Sequence, residues 1–156
     1  MKVKDAMAKK PVFCGPEANL GVAVEALWNN NCGILPIVNA QRQVMGVITD
    51  RDIAIALGTR NRLPAEITVV DAATRKVHSC KPTDDIHTAL DTMAENKVRR
   101  LVVINEQNQL EGVLSMDDVV LYAETATSNL SSDDVLRTLK ALYSPQLSAR
   151  AASAAR

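Results

Sequence analysis

The sequence predicts an α/β (α+β) protein: two pseudo-twofold-related repeats, each a small three-stranded sheet with two helices, followed by a C-terminal helix. Three observations lead there. Matched residues recur 66 positions apart without insertion, as in Asp5 and Asp71, Cys14 and Cys80, Pro16 and Pro82, Asn39 and Asn105, Gly46 and Gly112, and Asp52 and Asp118; such a period marks a repeated structural unit. Each copy carries an apolar stripe at helical spacing, then two short apolar runs joined by a polar connection. With 156 residues, 47% hydrophobic and 23% charged, and only six Gly and six Pro, the chain reads as one globule rather than two independent domains or a disordered segment.

The first copy, 1–60, has a short strand at 12–14. Leu20, Ala23, Val24, Leu27 and Trp28 then follow the i, i+3, i+4, i+7, i+8 pattern of an amphipathic helix. Runs 34–38 and 44–48 read as a hairpin across the polar link 39–43, and 50–57 supplies the last helix. In the second copy, 67–123, a strand at 77–80 leads to Pro82, Thr83, Asp84 and Asp85, whose side chains suit a helix start. Ile86, Ala89, Leu90, Met93 and Ala94 repeat the stripe, strands follow at 101–104 and 110–114, and a helix at 116–122. The turn-rich stretch 58–66, with Arg60, Asn61, Arg62 and Pro64, connects the copies.

A three-stranded sheet covered on one side cannot bury its strands alone, so the two halves are expected to pack sheet to sheet as one module. Beyond them, Ser131 can cap a helix over 131–144, with Asp133 and Asp134 in its first turn and Val135, Leu136, Leu139, Leu142 and Tyr143 as its apolar stripe. Pro145 is expected to end it, leaving 145–156 as a flexible tail unless a partner holds it.

Eighteen basic residues balance eighteen acidic ones. A nucleic-acid partner is not expected, because phosphate binding normally calls for a basic excess. The aliphatic runs are far shorter than the roughly 20 residues that cross a bilayer, and no signal-peptide pattern follows Met1, so a cytoplasmic protein without a membrane partner is expected. Three cysteines without CxxC spacing suit a reducing compartment.

Two segments carry a family resemblance: Gly46-Val47-Ile48-Thr49-Asp50-Arg51-Asp52-Ile53 and Gly112-Val113-Leu114-Ser115-Met116-Asp117-Asp118-Val119. Both are similar to the G-h-h-[ST]-x-x-D-h signature of CBS (cystathionine beta-synthase) domains, and Lys4-Asp5-Ala6-Met7 and Leu35-Pro36-Ile37-Val38 agree with it. The resemblance covers about 1–123 and implies a standalone, bacterial-type Bateman module, a regulatory signal-transduction unit with two related clefts. The implied ligand is an adenine nucleotide (AMP, ADP or ATP), with NAD and S-adenosylmethionine as further candidates and no required cofactor. By the same resemblance Asp52 and Asp118 meet ribose hydroxyls, and Thr49 and Ser115 lie near ribose or phosphate. One composite site would combine Thr49 and Asp52 with Val77, His78 and Val98; the other, Ser115 and Asp118 with Val12, Phe13 and Cys32. Arg99 and Arg100 match phosphate-contacting positions. The competing reading of the four hydroxyl and carboxylate residues is simple helix capping.

The resemblance also implies a homodimer through the repeat helices, with Trp28 either in that contact or completing the core, and an unidentified regulated protein as partner. No catalytic constellation or metal spacing is visible: His78 and His87 lack a third ligand, and the paired carboxylates sit at helix starts. The chain is therefore not expected to be an enzyme. Two alternatives remain, a ligand-free interaction and dimerisation module, and a thiol or metal sensor in which the pseudo-twofold brings Cys14 and Cys80 near the inter-sheet centre.

Overall fold

Each hairpin is closed by an asparagine. Asn39 Oδ1 accepts from the N–H groups of Gln41 and Gln43 at 3.0 and 2.9 Å, and Asn105 Oδ1 repeats this with Gln107 and Gln109 at 3.0 and 2.9 Å. This side chain stands in for a backbone turn and sets the register of the flanking strands. The computed structural model describes residues 1–125 and 128–154, the side chains of 145–154 apart. Its elements are α1 (Val3–Ala6), α2 (Leu20–Asn29), β1 (Leu35–Val38), β2 (Val44–Ile48), α3 (Asp50–Arg60), a 3-10 turn (Pro64–Glu66), α4 (Val69–Ala72), β3 (Ser79–Cys80), α5 (Ile86–Asn96), β4 (Arg100–Ile104), β5 (Leu110–Ser115), α6 (Met116–Tyr122) and α7 (Ser132–Ala154).

The second sheet has three strands in the order β3-β4-β5, whereas the first has only the β1-β2 hairpin with a single parallel bridge from Cys14 to Ile37. The missing strand has a local cause. In the second half Val102 N–H donates to His78 O at 3.1 Å, and the residue in Val102's place in the first half is Pro36, which has no N–H. Only Cys14 N–H to Pro36 O and Val38 N–H to Cys14 O, both 3.0 Å, survive there.

The halves meet tip to tip and face to face. Val44 N–H donates to Asn108 O and Leu110 N–H to Arg42 O, both at 3.0 Å. Behind these bonds Val38, Val47, Val102 and Leu110 form an apolar layer between the sheets. The opening segment of each copy crosses to the other. Val3 and Ala6 of α1 are buried among Ile86, Met93, Leu101 and Leu114, while Ile67 and Val69 are buried among Leu20, Leu35, Ile37 and Ile48. Paired bonds fix the crossings: Ala8 N–H to Val113 O (2.9 Å) with its reciprocal (3.2 Å), and Thr74 N–H to Val47 O (3.0 Å) with its reciprocal (3.1 Å). The motif glycines permit this approach, since a Cβ at Gly112 would stand 2.8 Å from Ala8 O and one at Gly46 would stand 3.3 Å from Thr74 O.

α7 packs on the second half through Val135 and Leu142. Its start is a capping box: Ser131 Oγ accepts from Asp134 N–H at 3.2 Å, and Asp134 Oδ2 accepts from Ser131 N–H at 3.1 Å and from its hydroxyl at 2.7 Å. The expected stop at Pro145 is corrected, because the helix continues to Ala154. Proline removes the bond that residue 145 would give to Ala141 O, but that carbonyl accepts from Lys97 Nζ at 2.7 Å and Ser144 Oγ at 3.0 Å. The part of the expected flexible tail at 155–156 lies outside the described residues.

The Ser131 hydroxyl and N–H, with His87 and Arg137 beside them, hold the Asp134 carboxyl at about 2 against an ordinary 3.8. A depressed carboxyl stabilises the fold fully above its ordinary pKa and loses that contribution as pH falls through the folded value. The amide protection of the first turn of α7 is therefore expected to fall between about pH 4 and pH 2, and Asp134→Asn to flatten that dependence in hydrogen exchange.

Candidate functional site

The docking of two twisted sheets leaves a cleft on either side of the pseudo-axis, each lined by both repeats. The first encloses about 240 Å³ between Ile34, Val47, Thr49 and Asp52 of one repeat and Lys76, His78, Val98, Arg99 and Arg100 of the other, with Thr74 and Val102. The second encloses about 350 Å³ between Val12, Asn31, Cys32 and Gly33 and the residues Arg100, Ser115, Asp117 and Asp118, with Ala8, Pro11, Ile34 and Val113. From the second cleft an open groove of about 490 Å³ runs along α2 past Val24, Leu27 and Trp28.

The carboxylates are placed by the chain's passage from strand to helix. Thr49 and Ser115 end their strands in extended conformation (φ −118°, ψ 164° and φ −115°, ψ 161°) and act as N-caps of α3 and α6. With three residues from cap to carboxylate, the two side chains cap reciprocally. Asp52 Oδ2 accepts from Thr49 N–H at 2.9 Å and its hydroxyl at 2.7 Å; Asp118 Oδ2 accepts from Ser115 N–H at 2.8 Å and its hydroxyl at 2.6 Å. Capping and cleft lining thus coexist, because each box uses one carboxylate oxygen. Asp52 Oδ1 has only a 3.5 Å contact from the Thr74 hydroxyl, and Asp118 Oδ1 accepts no hydrogen bond among the described residues. Helix starts also leave N–H groups unpaired and a positive dipole end, which suit an anionic or hydroxyl-rich ligand.

The basic residues come from the second hairpin. Arg99 is exposed and Arg100 half-buried, with its guanidinium against Gly33, where a Cβ would stand 2.9 Å from Nη2. Arg100 lines both clefts. Burial, with Lys76 nearby, lowers the pKa of His78. Burial raises that of Cys32, against an opposing pull from the Ile34 and Cys32 backbone and Arg100.

Of the twelve residues singled out from sequence, ten line a cleft: Thr49, Asp52, His78, Val98 and Arg99 the first, Val12, Cys32, Ser115 and Asp118 the second, and Arg100 both. Two do not. Val77 belongs to the layer between the sheets, because strand alternation sends it opposite to His78. Phe13 is exposed beside buried Cys14 for the same reason, with Arg42 Cζ 5.1 Å from its ring centre. Lys76, Thr74, Gly33 and Asp117 were not singled out. The signal for Asp117 was present, but its place at a helix start read as capping alone.

Trp28 is 84% exposed, which removes the alternative that it completes the core. Cys14 and Cys80 lie in the separate cores of the two halves rather than near the inter-sheet centre. Burial, with Glu17 near the first and Asp84 near the second, pushes their thiols up to about 11 and about 12. Both are therefore protonated at neutral pH and poorly nucleophilic. Among the described residues no group of three or more His, Cys, Asp or Glu could hold a metal ion, and no helix is long and apolar enough to cross a membrane.

Two related α/β units, docked about a pseudo-twofold axis with a composite cleft on each side, define a tandem-repeat module. The family model for the CBS domain matches residues 3–59 and again 69–124, and the chain belongs to the CBS domain family. It is 27% identical over 139 residues to the CBS domain-containing protein YhcV of Bacillus subtilis, covering 85% of this chain and 97% of that one. Its fold is similar to the CBS domain pair of protein MJ0100 in complex with 5'-methylthioadenosine and S-adenosyl-L-methionine (TM-score 0.71, 23% identity, 78% of this chain and 94% of that one). It is also similar to the CBS domain protein PAE2072 from Pyrobaculum aerophilum complexed with AMP (TM-score 0.71, 21% identity, 90% of this chain and 99% of that one).

Proposed function

We propose that the chain is a non-catalytic regulatory module that binds adenosine-containing ligands, AMP, ADP or ATP foremost, in the clefts between its repeats. The observation that carries this reading is the twice-repeated box in which a helix-capping carboxylate commits only one of its oxygens to the cap, in a cleft lined by both repeats. A ribose offers two adjacent hydroxyl donors, and a carboxylate oxygen beside a helix start is a fitting acceptor for them. The apolar wall supplied by Ile34, Val47, Val98 and Val102 in the first cleft suits a flat base. The adenosine compounds held by MJ0100 and the AMP held by PAE2072 support the same ligand class.

Regulation follows from the composite walls. A ligand that touches both repeats favours the docking that brings its contacts together, and it shifts that equilibrium by its differential affinity. The test is thermal unfolding against a panel of AMP, ADP, ATP, NAD and S-adenosylmethionine. A ligand present at 100 times its Kd adds about 2.7 kcal/mol to stability, enough to raise the midpoint by several degrees. No rise with any member of the panel would defeat the proposal.

A further inference from the structure

We propose that the two clefts take adenosine-type ligands of different charge: the Asp52 cleft one that carries a phosphate chain, the Asp118 cleft one that does not. This rests on the ligand class proposed above and divides it between the sites.

The clefts share one frame but not one charge. At matched positions 66 residues apart the first has Arg99 where the second has Gly33. The Asp52 cleft sets Lys76, Arg99 and Arg100 against one carboxylate, whereas the Asp118 cleft sets Asp117 and Asp118 against Arg100 alone. The counterpart of Asp117 in the first repeat is Arg51, so the exchange of sign extends to the helix start itself. Arg100 lines both clefts, but it does not alter the comparison. Assigned to either one, it leaves the first net positive and the second net negative. Clefts with low-dielectric walls concentrate such fields. A phosphate chain is drawn to the planar donors of Arg99 and Arg100, and in the second cleft it meets two carboxylates. Adenosine without phosphates has no such penalty there and keeps its ribose contact with Asp118.

Cys32 lines the Asp118 cleft and the groove that continues from it but not the Asp52 cleft, while Cys14 and Cys80 are buried, so Cys32 labelling reports occupancy on the Asp118 side. The experiment combines calorimetry of the full chain with ATP and with adenosine, and iodoacetamide labelling of Cys32 read by mass spectrometry at pH 8.5. ATP is expected to bind once per chain and leave the Cys32 rate within about twofold of the free protein, and saturating adenosine to slow it at least about fivefold. Arg99→Ala should weaken ATP by about tenfold, the loss of one charge-assisted contact, with adenosine protection of Cys32 unchanged. Two ATP per chain of similar affinity, protection of Cys32 by ATP, or none by adenosine overturns the assignment and leaves the ligand class standing. Absence of binding by both compounds overturns the assignment, and the ligand class falls with it only if AMP, ADP, NAD and S-adenosylmethionine also leave the midpoint unmoved.

Discussion

Leu101→Ala is expected to lower stability by about 2–5 kcal/mol, a large share of the roughly 5–15 kcal/mol that holds an ordinary domain folded. Leu101 is fully buried on β4, the central strand of the second sheet, directly opposite Leu114, which is also fully buried. A central strand bonded on both sides cannot shift to fill the hole, so the cavity remains and the cost lies above the transfer of three carbons alone. The urea midpoint should fall with an unchanged slope. Because Val3 and Ala6 share this core, the same substitution should speed hydrogen exchange of Met7 N–H, which is held by Val3 O at 2.9 Å. Protection unchanged at Met7 would contradict the crossing of α1 into the second half.

Asp52→Ala is expected to weaken nucleotide binding in its cleft by about tenfold to a hundredfold, the loss of one or two charge-assisted hydrogen bonds to ribose. It also removes the α3 capping box, at a cost of about 0.5–2 kcal/mol in stability. The two effects separate by calorimetry well below the unfolding temperature, where the destabilised chain is still folded. Affinity within twofold of wild type would assign Asp52 to capping alone.

Much of this architecture is legible in the sequence, because its causes are local. Asparagine-closed hairpins, helical stripes and the three-residue spacing from Thr49 to Asp52 each depend on residues close in the chain. The crossing of α1 and α4 is not legible, since a four-residue helix gives little periodicity and its partner lies in the other repeat. The same limit applies to Val77 and Phe13. A strand's alternation is visible, but which parity faces the cleft depends on how the sheets dock. Of the two donors to the Ala141 carbonyl that Pro145 leaves unpaired within α7, Ser144 is local, but Lys97 lies 44 residues away in sequence and is not legible there. Arg100 could be read as a phosphate contact, but its place between two clefts depends on Gly33, whose missing side chain makes room for the guanidinium.

In the proposed function, residues from both repeats together bind an adenosine ligand. A ¹⁵N chemical-shift titration with AMP tests it most directly. Shifts that saturate together are expected at Thr49 and Asp52 in one repeat and at His78 and Arg99 in the other. Shifts confined to one repeat, or absent from these four at millimolar AMP, would contradict it.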